Sequence, residues 1–264
     1  MATLKLIKDN QAKKNLVCVP GGPGLGPISF EPMVDFITTA NVYFYYPRGT
    51  DGKSVNEQAL DYENQLKELE TQINSIENVV LLGHSFGGIL ATDLTIRNFD
   101  KVSALVCIAS PFSKDVFKSA SDAFSEVQNA ESAKINEKFQ NDPTDENYKK
   151  WFAHYAALYF KAGNDEAGKQ MILSDSACAK SYLAARSESA QKEFLIYKIE
   201  KLNTAKIFIM GSEDALLKKE LLGQDAMKGK FRMKMIKDAG HFVHFDQPKE
   251  VANVIDAFIK GMEK

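Results

Sequence analysis

The sequence lacks the features of membrane, secreted and nucleic-acid-binding proteins. No apolar run approaches the roughly 20 residues that a helix needs to cross a bilayer, and the first ten residues lack the long apolar segment of a secretory signal. The 264 residues carry a formal net charge of −2 without a basic block, which argues against a nucleic-acid partner. We therefore expect a cytoplasmic protein without a membrane or nucleic-acid partner, and the sequence leaves its oligomeric state open.

Cysteine is also scarce, and its positions argue against two kinds of site. Cys18, Cys107 and Cys178 are odd in number and widely spaced, so neither a disulfide framework nor a zinc-binding pattern is present. Two of them stand in apolar strand-like runs, where a free cysteine acts as a small hydrophobic residue. His241 and His244 lack a nearby third ligand, so we expect no metal.

The residues that are present predict an α/β fold. Apolar runs with strand character alternate with helical patterns, and several runs are apolar almost throughout, which is typical of parallel strands covered on both faces. The predicted strands are residues 3–8, 15–19, 41–46, 79–82, 101–109, 205–211 and 231–236. The predicted helices are residues 29–39, a segment that begins with a capping box at Ser54 and Glu57, a segment that begins at Ile89, and residues 248–262.

The middle of the chain has a different pattern. Residues 112–201 contain no strong strand, are rich in Ala, Ser, Glu and Lys, and include several helical stretches. Ligands of open α/β sheets bind at the carboxyl ends of the strands, which is where we expect this insertion to lie. We predict a core domain of residues 1–111 and 202–264, with residues 112–201 as a helical cap.

One stretch combines a strand, a sharp turn and a helix around a single serine. It ends in Gly83-His84-Ser85-Phe86-Gly87-Gly88. A Gly-Xaa-Ser-Xaa-Gly turn in this context pushes the serine hydroxyl out of the sheet edge toward a substrate. A bare match also occurs where a serine caps a helix, but the flanking strand and helix favour a nucleophile. Ser85 is therefore the predicted nucleophile.

A serine nucleophile needs an adjacent base, and the base needs a carboxylate to orient it. His241 follows the last predicted strand and Asp214 follows the strand before it, so both are expected at the same sheet edge. His241 is the favoured base and Asp214 the favoured acid, while His244 and Glu213 stay open as alternatives. The order Ser85, Asp214, His241 is the one that this class of fold uses.

The two remaining histidines have structural explanations. His84 lies inside the serine turn, which favours a packing role. His154 lies in a helical pattern of the predicted cap, close to Trp151 and Tyr155, which favours packing within the cap or lining a pocket. Most aromatic residues of this segment are expected to pack the cap onto the sheet, with Trp151 and Tyr155 as the candidates for the substrate pocket.

The oxyanion of an acyl-transfer reaction needs backbone N–H donors. The amide of Phe86, directly after the serine, is one candidate, and that of Gly22, in the glycine-rich loop after the second strand, is the other. This loop does not fit a dinucleotide-binding motif, because Pro27 stands where the third glycine belongs. Residues 47–54 fail as a phosphate loop, because proline occupies the first glycine position. We therefore expect no cofactor.

These motifs resemble the α/β-hydrolase superfamily, and within it the proline iminopeptidase branch of the serine peptidases. The resemblance is carried by residues 20–24, 83–88 and 240–248, and it covers most of the core but not the cap. It implies a mostly parallel central sheet flanked by helices. Two features differ from the branch: Pro20 replaces its usual histidine, and residues 151–155 lack the glutamate that follows tryptophan in its cap.

Together these features predict a cofactor-independent serine hydrolase that cleaves a small ester or amide through an acyl-enzyme. The expected substrate is a small molecule or a short peptide. The resemblance implies an aminopeptidase, and a carboxylesterase without peptidase activity is the alternative. A catalytically idle hydrolase fold that serves as a binding module is less favoured, because all three candidate catalytic residues are retained.

Overall fold

The computed structural model describes residues 2–51 and 60–262, and in this part of the chain seven strands form one sheet. The strands are β1 (Thr3–Lys8), β2 (Lys14–Val19), β3 (Ala40–Tyr46), β4 (Val79–His84), β5 (Val102–Ile108), β6 (Ala205–Gly211) and β7 (Arg232–Ile236). Their order is β1-β3-β2-β4-β5-β6-β7, and β1 is antiparallel to β3 whereas all other neighbours are parallel. The predicted fold class is confirmed, and each predicted strand is present with small shifts at its ends.

Helices connect the parallel strands. In the described residues they are α1 (Glu31–Val34), α2 (Tyr62–Ile73), α3 (Phe86–Arg97), α4 (Lys114–Glu126), α5 (Ala130–Asn141), α6 (Asp145–His154), α7 (Ala156–Tyr159), α8 (Asp165–Ser174), α9 (Ala179–Ser189), α10 (Phe194–Ile199), α11 (Lys219–Lys228), α12 (Val243–Asp246) and α13 (Pro248–Gly261). Helices α4 to α10 all lie between β5 and β6, and we propose that they form the cap. Within residues 2–51 and 60–262, every helix is too short or too polar to span a membrane.

Alternate side chains of each strand enter two separate hydrophobic layers. Val17 and Leu81 lie on the face that packs against α2, α3 and the segment between β5 and β6. Leu16 and Val80 lie on the opposite face, in a layer with α1 and α13. Because both faces are covered, β2 and β4 read as continuous apolar runs, as expected for parallel strands.

The helix predicted at residues 29–39 is much shorter. A 3-10 turn at Ile28–Phe30 leads into α1, which ends at Val34. The reason lies elsewhere in the chain: the buried carboxylate of Asp256 on α13 accepts hydrogen bonds from the backbone and hydroxyl groups of Thr38 and Thr39. These long-range bonds replace the helical ones.

Within the described residues, the helix predicted after Ser54 is present as α2, which begins at Tyr62, after Leu60. The capping box of Ser54 and Glu57 lies outside the described residues, whereas α2 is capped by Asp61, whose side chain accepts the amide of Asn64 at 2.9 Å. Leu66, an expected apolar position, is buried in the core as the helical pattern predicted.

The glycine-rich loop after β2 is hydrogen-bonded to the segment between α8 and α9. The amide of Cys178 donates to the carbonyl of Gly24 and the amide of Gly26 to the carbonyl of Ser176, both at 2.8 Å. The Tyr148 hydroxyl donates to the carbonyl of Pro23 at 2.7 Å. The proposed cap therefore holds this loop directly.

Candidate active site

Ser85 is the single residue between the end of β4 and the start of α3. This is the strand–turn–helix arrangement that its motif predicts. Its φ of 51° and ψ of −120° lie in a region that L-residues seldom adopt, at a cost of roughly 1–3 kcal/mol. The turn requires glycine on both sides. A Cβ at Gly83 would lie 2.3 Å from the carbonyl oxygen of Gly87, and one at Gly87 would lie 2.3 Å from that of Val19.

His241 and Asp214, in the loops after β7 and β6, are joined by a hydrogen bond between their side chains. The Nδ1 of His241 lies 3.0 Å from Oδ2 of Asp214, and the side chains are 2% and 0% exposed. The other carboxylate oxygen accepts the amides of Leu216 and Leu217 at 3.0 and 2.8 Å, which fixes its orientation. Because a carboxylate accepts hydrogen bonds, the Nδ1 of His241 carries the proton and its Nε2 is left as an acceptor.

Glu213 and His244, the alternatives for the acid and the base, make other contacts. Glu213 is exposed and borders a different surface cavity, together with Lys161 and Asp165. His244 is fully buried, lies 3.0 Å from the Ser29 hydroxyl through Nε2 and stacks on Phe30. Burial, with His241 nearby, lowers the pKa of His244 to about 3. The geometry therefore favours Asp214 and His241 as acid and base.

His84 supports the loop that carries His241. Its Nε2 donates to the carbonyl oxygen of His241 at 3.1 Å. Burial and the neighbouring His244 and His241 hold the pKa of His84 well below its usual value, so the ring is neutral. His154 instead contacts Ser132 within the helices between β5 and β6, with 3.1 Å between Nε2 and Oγ.

Several of the predicted site residues border one small cavity of about 140 Å³. Ser85, His241 and both predicted oxyanion residues, Gly22 and Phe86, border it. Among residues 2–51 and 60–262, no hydrogen bond joins the Ser85 hydroxyl to His241, which is common in hydrolases without a bound substrate. The cavity therefore gathers the nucleophile, base and oxyanion candidates around one space.

Of the two predicted pocket residues, Trp151 borders this cavity and Tyr155 does not. Tyr155 borders a second cavity next to it, where its hydroxyl contacts Gln128 and Asn136. Sequence reasoning missed most of the apolar wall of the first cavity, which is formed by Ile89, Pro111, Phe117, Ala120, Phe124, Phe152, Tyr159, Tyr182, Leu216, Leu217 and Phe242. The spacing of seven residues between two phenylalanines of α4 was the available signal, since it marks one face of a helix.

Comparison with known proteins agrees with this architecture. Residues 16–254 match the model of the alpha/beta hydrolase family. Protein phosphatase methylesterase 1 of Kluyveromyces lactis is 26% identical over 211 residues, which are 72% of this chain and 47% of the relative. Proline iminopeptidase of Saccharolobus solfataricus is 36% identical over 99 residues, which are 35% of this chain and 32% of the relative. The chain thus spans about half or less of the length of these relatives.

Solved structures share the fold at low sequence identity. A thermophilic esterase from Thermogutta terrifontis superimposes with a TM-score of 0.79 at 17% identity, over 100% of this chain and 94% of the other. An esterase from Exiguobacterium antarcticum has a TM-score of 0.74 at 16% identity, over 98% and 95% of the two chains. Given the family match over most of its length, the parallel sheet and the serine turn at the end of β4, this chain belongs to the alpha/beta hydrolase family.

Proposed function

We propose that the chain is a serine hydrolase that cleaves a small carboxylic ester through an acyl-enzyme. The observation that carries the proposal is the buried hydrogen bond between Asp214 and His241, beside a cavity that His241 shares with the strained Ser85. A nucleophile, a base and an orienting carboxylate on separate loops at one sheet edge form the arrangement that serine hydrolases use.

In this mechanism the Ser85 hydroxyl attacks the ester carbonyl while Nε2 of His241 takes its proton. The imidazolium is stabilised by Asp214 and then protonates the leaving alcohol. The amides of Phe86 and Gly22 stabilise the oxyanion, each worth about 10²–10³ in rate. Water, activated by the same histidine, releases the acid and restores Ser85.

The lining of the cavity favours an ester over the N-terminus of a peptide. An aminopeptidase binds a positively charged amine, which calls for an anionic partner, and no carboxylate is found among the described residues that border the cavity. Its wall is predominantly aromatic and aliphatic. The Kluyveromyces lactis relative is named a methylesterase, which also supports an ester.

The volume of the cavity limits the group that sits beside Ser85. A cavity of about 140 Å³ holds a group of about the size of benzene. A short acyl chain or a single ring meets this limit. We therefore expect acetyl and propionyl esters to be better substrates than esters of long unsubstituted fatty acids.

An aminopeptidase is the second candidate. It is favoured by the similarity to the iminopeptidase of Saccharolobus solfataricus, which reaches 36% identity but covers 35% of this chain. The discriminating experiment compares p-nitrophenyl acetate with arylamides of proline and alanine. Hydrolysis of the ester alone supports the first proposal, and arylamide turnover of equal or greater kcat/KM supports the second.

The serine mechanism is tested by labelling with a fluorophosphonate probe. We expect the intact protein and a Ser75→Ala control to be labelled, since Ser75 is an exposed serine away from the cavity. Ser85→Ala should abolish both labelling and ester turnover. An intact, folded protein that resists labelling would overturn the proposal and favour a binding module.

A further inference from the structure

A second and larger cavity adjoins the one that contains Ser85. It measures about 630 Å³, against about 140 Å³ for the inner one. Phe124, Trp151 and Tyr182 border both cavities. The two cavities therefore adjoin at these three aromatic residues. A substrate too large for the inner cavity alone could extend past them into the outer one.

The outer cavity differs from the inner one in chemistry. Amide and hydroxyl side chains, including Gln140 and Ser121, share its wall with the guanidinium of Arg186. No carboxylate occurs among its described lining residues. The Arg186 side chain lies over the ring of Tyr182, 5.3 Å from its centroid, and has no carboxylate partner in the described part of the chain. Its positive charge is thus available to a ligand.

The inner wall of this cavity is fixed by hydrogen bonds. Oδ1 of Asn136 accepts from Nε1 of Trp151 and from the hydroxyl of Tyr155, both at 2.9 Å. Its amide nitrogen donates to Gln128, also at 2.9 Å. These hydrogen bonds pair the polar groups with one another and fix the position of Trp151, so this wall of the cavity is formed without a ligand. Arg186 is left as the cation that faces it.

We propose that the outer cavity binds a carboxylate that the substrate carries several bonds away from its scissile ester, with Arg186 as the specificity-determining residue. The inference rests on the proposed esterase function and names the substrate class: monoesters of dicarboxylic acids or similar anionic esters. A guanidinium matches a carboxylate through two parallel N–H donors. One cation balances one negative charge, which favours a carboxylate over a phosphate dianion.

The turnover test compares mono-p-nitrophenyl adipate with the neutral p-nitrophenyl hexanoate. Arg186→Gln should lower kcat/KM for the adipate about fivefold, because the arginine is exposed to solvent, and leave the hexanoate unchanged. The matched control is Arg232→Gln, which makes the same change of charge on β7, away from both cavities. Added salt should reduce the preference of the unmodified protein for the adipate, since salt screens the attraction.

A binding test avoids any dependence on turnover. Trp151 is the single tryptophan of the chain and borders both cavities, so its fluorescence reports on their occupancy. Ser85→Ala protein is titrated with monomethyl adipate and with neutral dimethyl adipate. We expect tighter binding of the anion, and loss of that preference when Arg186→Gln is added.

The two proposals fail in distinguishable ways. If the fluorophosphonate does not label the protein and no ester is hydrolysed, the esterase proposal falls, while the Trp151 titration still tests the outer site. If neutral esters are hydrolysed but Arg186→Gln lowers turnover of both esters equally, or of neither, the carboxylate site is overturned. Equal affinity for monomethyl and dimethyl adipate overturns it as well.

Discussion

The carboxylate of Asp246 accepts the amide of Gly240 at 2.8 Å, directly before the proposed base His241. The same oxygen accepts the amide of Lys161 at 2.9 Å, and the other oxygen accepts the side-chain amide of Asn164. One buried side chain therefore ties the loop after β7 to the segment between β5 and β6. We infer that Asp246 helps to position the imidazole of His241.

We expect Asp246→Asn to lower both stability and turnover. Asparagine has one acceptor oxygen instead of two, so it cannot accept from both the backbone amides of Gly240 and Lys161 and the side-chain amide of Asn164 as the carboxylate does. An unsatisfied buried group costs about 1–3 kcal/mol. Asp256→Asn is the matched control, because that buried carboxylate also accepts several bonds, from Thr38 and Thr39, but lies away from the cavity. Urea unfolding should show a loss for both variants, whereas kcat for p-nitrophenyl acetate should fall in Asp246→Asn alone. An equal kcat in the two variants would refute a positioning role.

Asp214→Asn should lower kcat by about 10³–10⁴ while the fold persists. The asparagine amide can donate to Nδ1 of His241, which favours the tautomer that cannot accept the serine proton. Glu213→Gln changes the neighbouring carboxylate in the same way and should leave kcat close to that of the unmodified protein. The measurement is steady-state hydrolysis of p-nitrophenyl acetate, with circular dichroism to verify folding. A large loss in Glu213→Gln would mean that the acid is misassigned.

Two glycine-to-alanine substitutions should have opposite effects on stability. Gly87→Ala should prevent folding or greatly destabilise the protein, because its Cβ would meet the carbonyl oxygens of Val19 and Pro20 at 2.3 and 2.4 Å. Gly223→Ala, inside α11 where nothing lies within 4 Å of the added Cβ, should raise the free energy of unfolding by about 0.5–1 kcal/mol. Thermal and urea unfolding test both. A well-folded, active Gly87→Ala variant would contradict the described turn.

Because His244 is buried as a neutral ring, we expect the free energy of unfolding to fall as the pH drops below 6.5. Its pKa is lowered from 6.5 to about 3 in the folded state by burial and by His241, so between these values the unfolded chain binds more protons. The free energy of unfolding then rises with pH across this window, by up to about 1.4 kcal/mol per pH unit. Replacing the ring with glutamine removes this contribution.

The check is urea unfolding at several pH values from 4 to 7. The dependence on pH should be weaker in His244→Gln than in the unmodified protein, whatever the other groups contribute. His154→Gln serves as the control, because its half-buried ring bonds to Ser132 outside the site. Identical slopes in the unmodified protein and His244→Gln would contradict a histidine kept neutral by burial.

Much of the core was predictable because its signals are local. A parallel strand covered on both faces reads as an apolar run, and a candidate catalytic residue follows the end of each of β4, β6 and β7. The proposed cap was less predictable because aromatic spacing does not reveal where a helix stops. α6 ends at His154, and Tyr155, with φ −92° and ψ 19°, interrupts the helical path before α7 begins. Tyr159, which follows the interruption, borders the inner cavity, whereas Tyr155 borders the outer cavity and Trp151 borders both.

The glycine-rich loop pairs with the segment after α8, so the helical region between β5 and β6 also supports this loop. The bridge between Leu25 and Ala177 and the hydrogen bonds around it hold the loop that carries Gly22, whose amide we propose as an oxyanion donor. If a short linker replaced residues 112–201, the loop would lose these hydrogen bonds, and the Gly22 amide would no longer be held in place. We expect the shortened chain to fail even on acetyl esters, whose own atoms are too few to reach the missing helices.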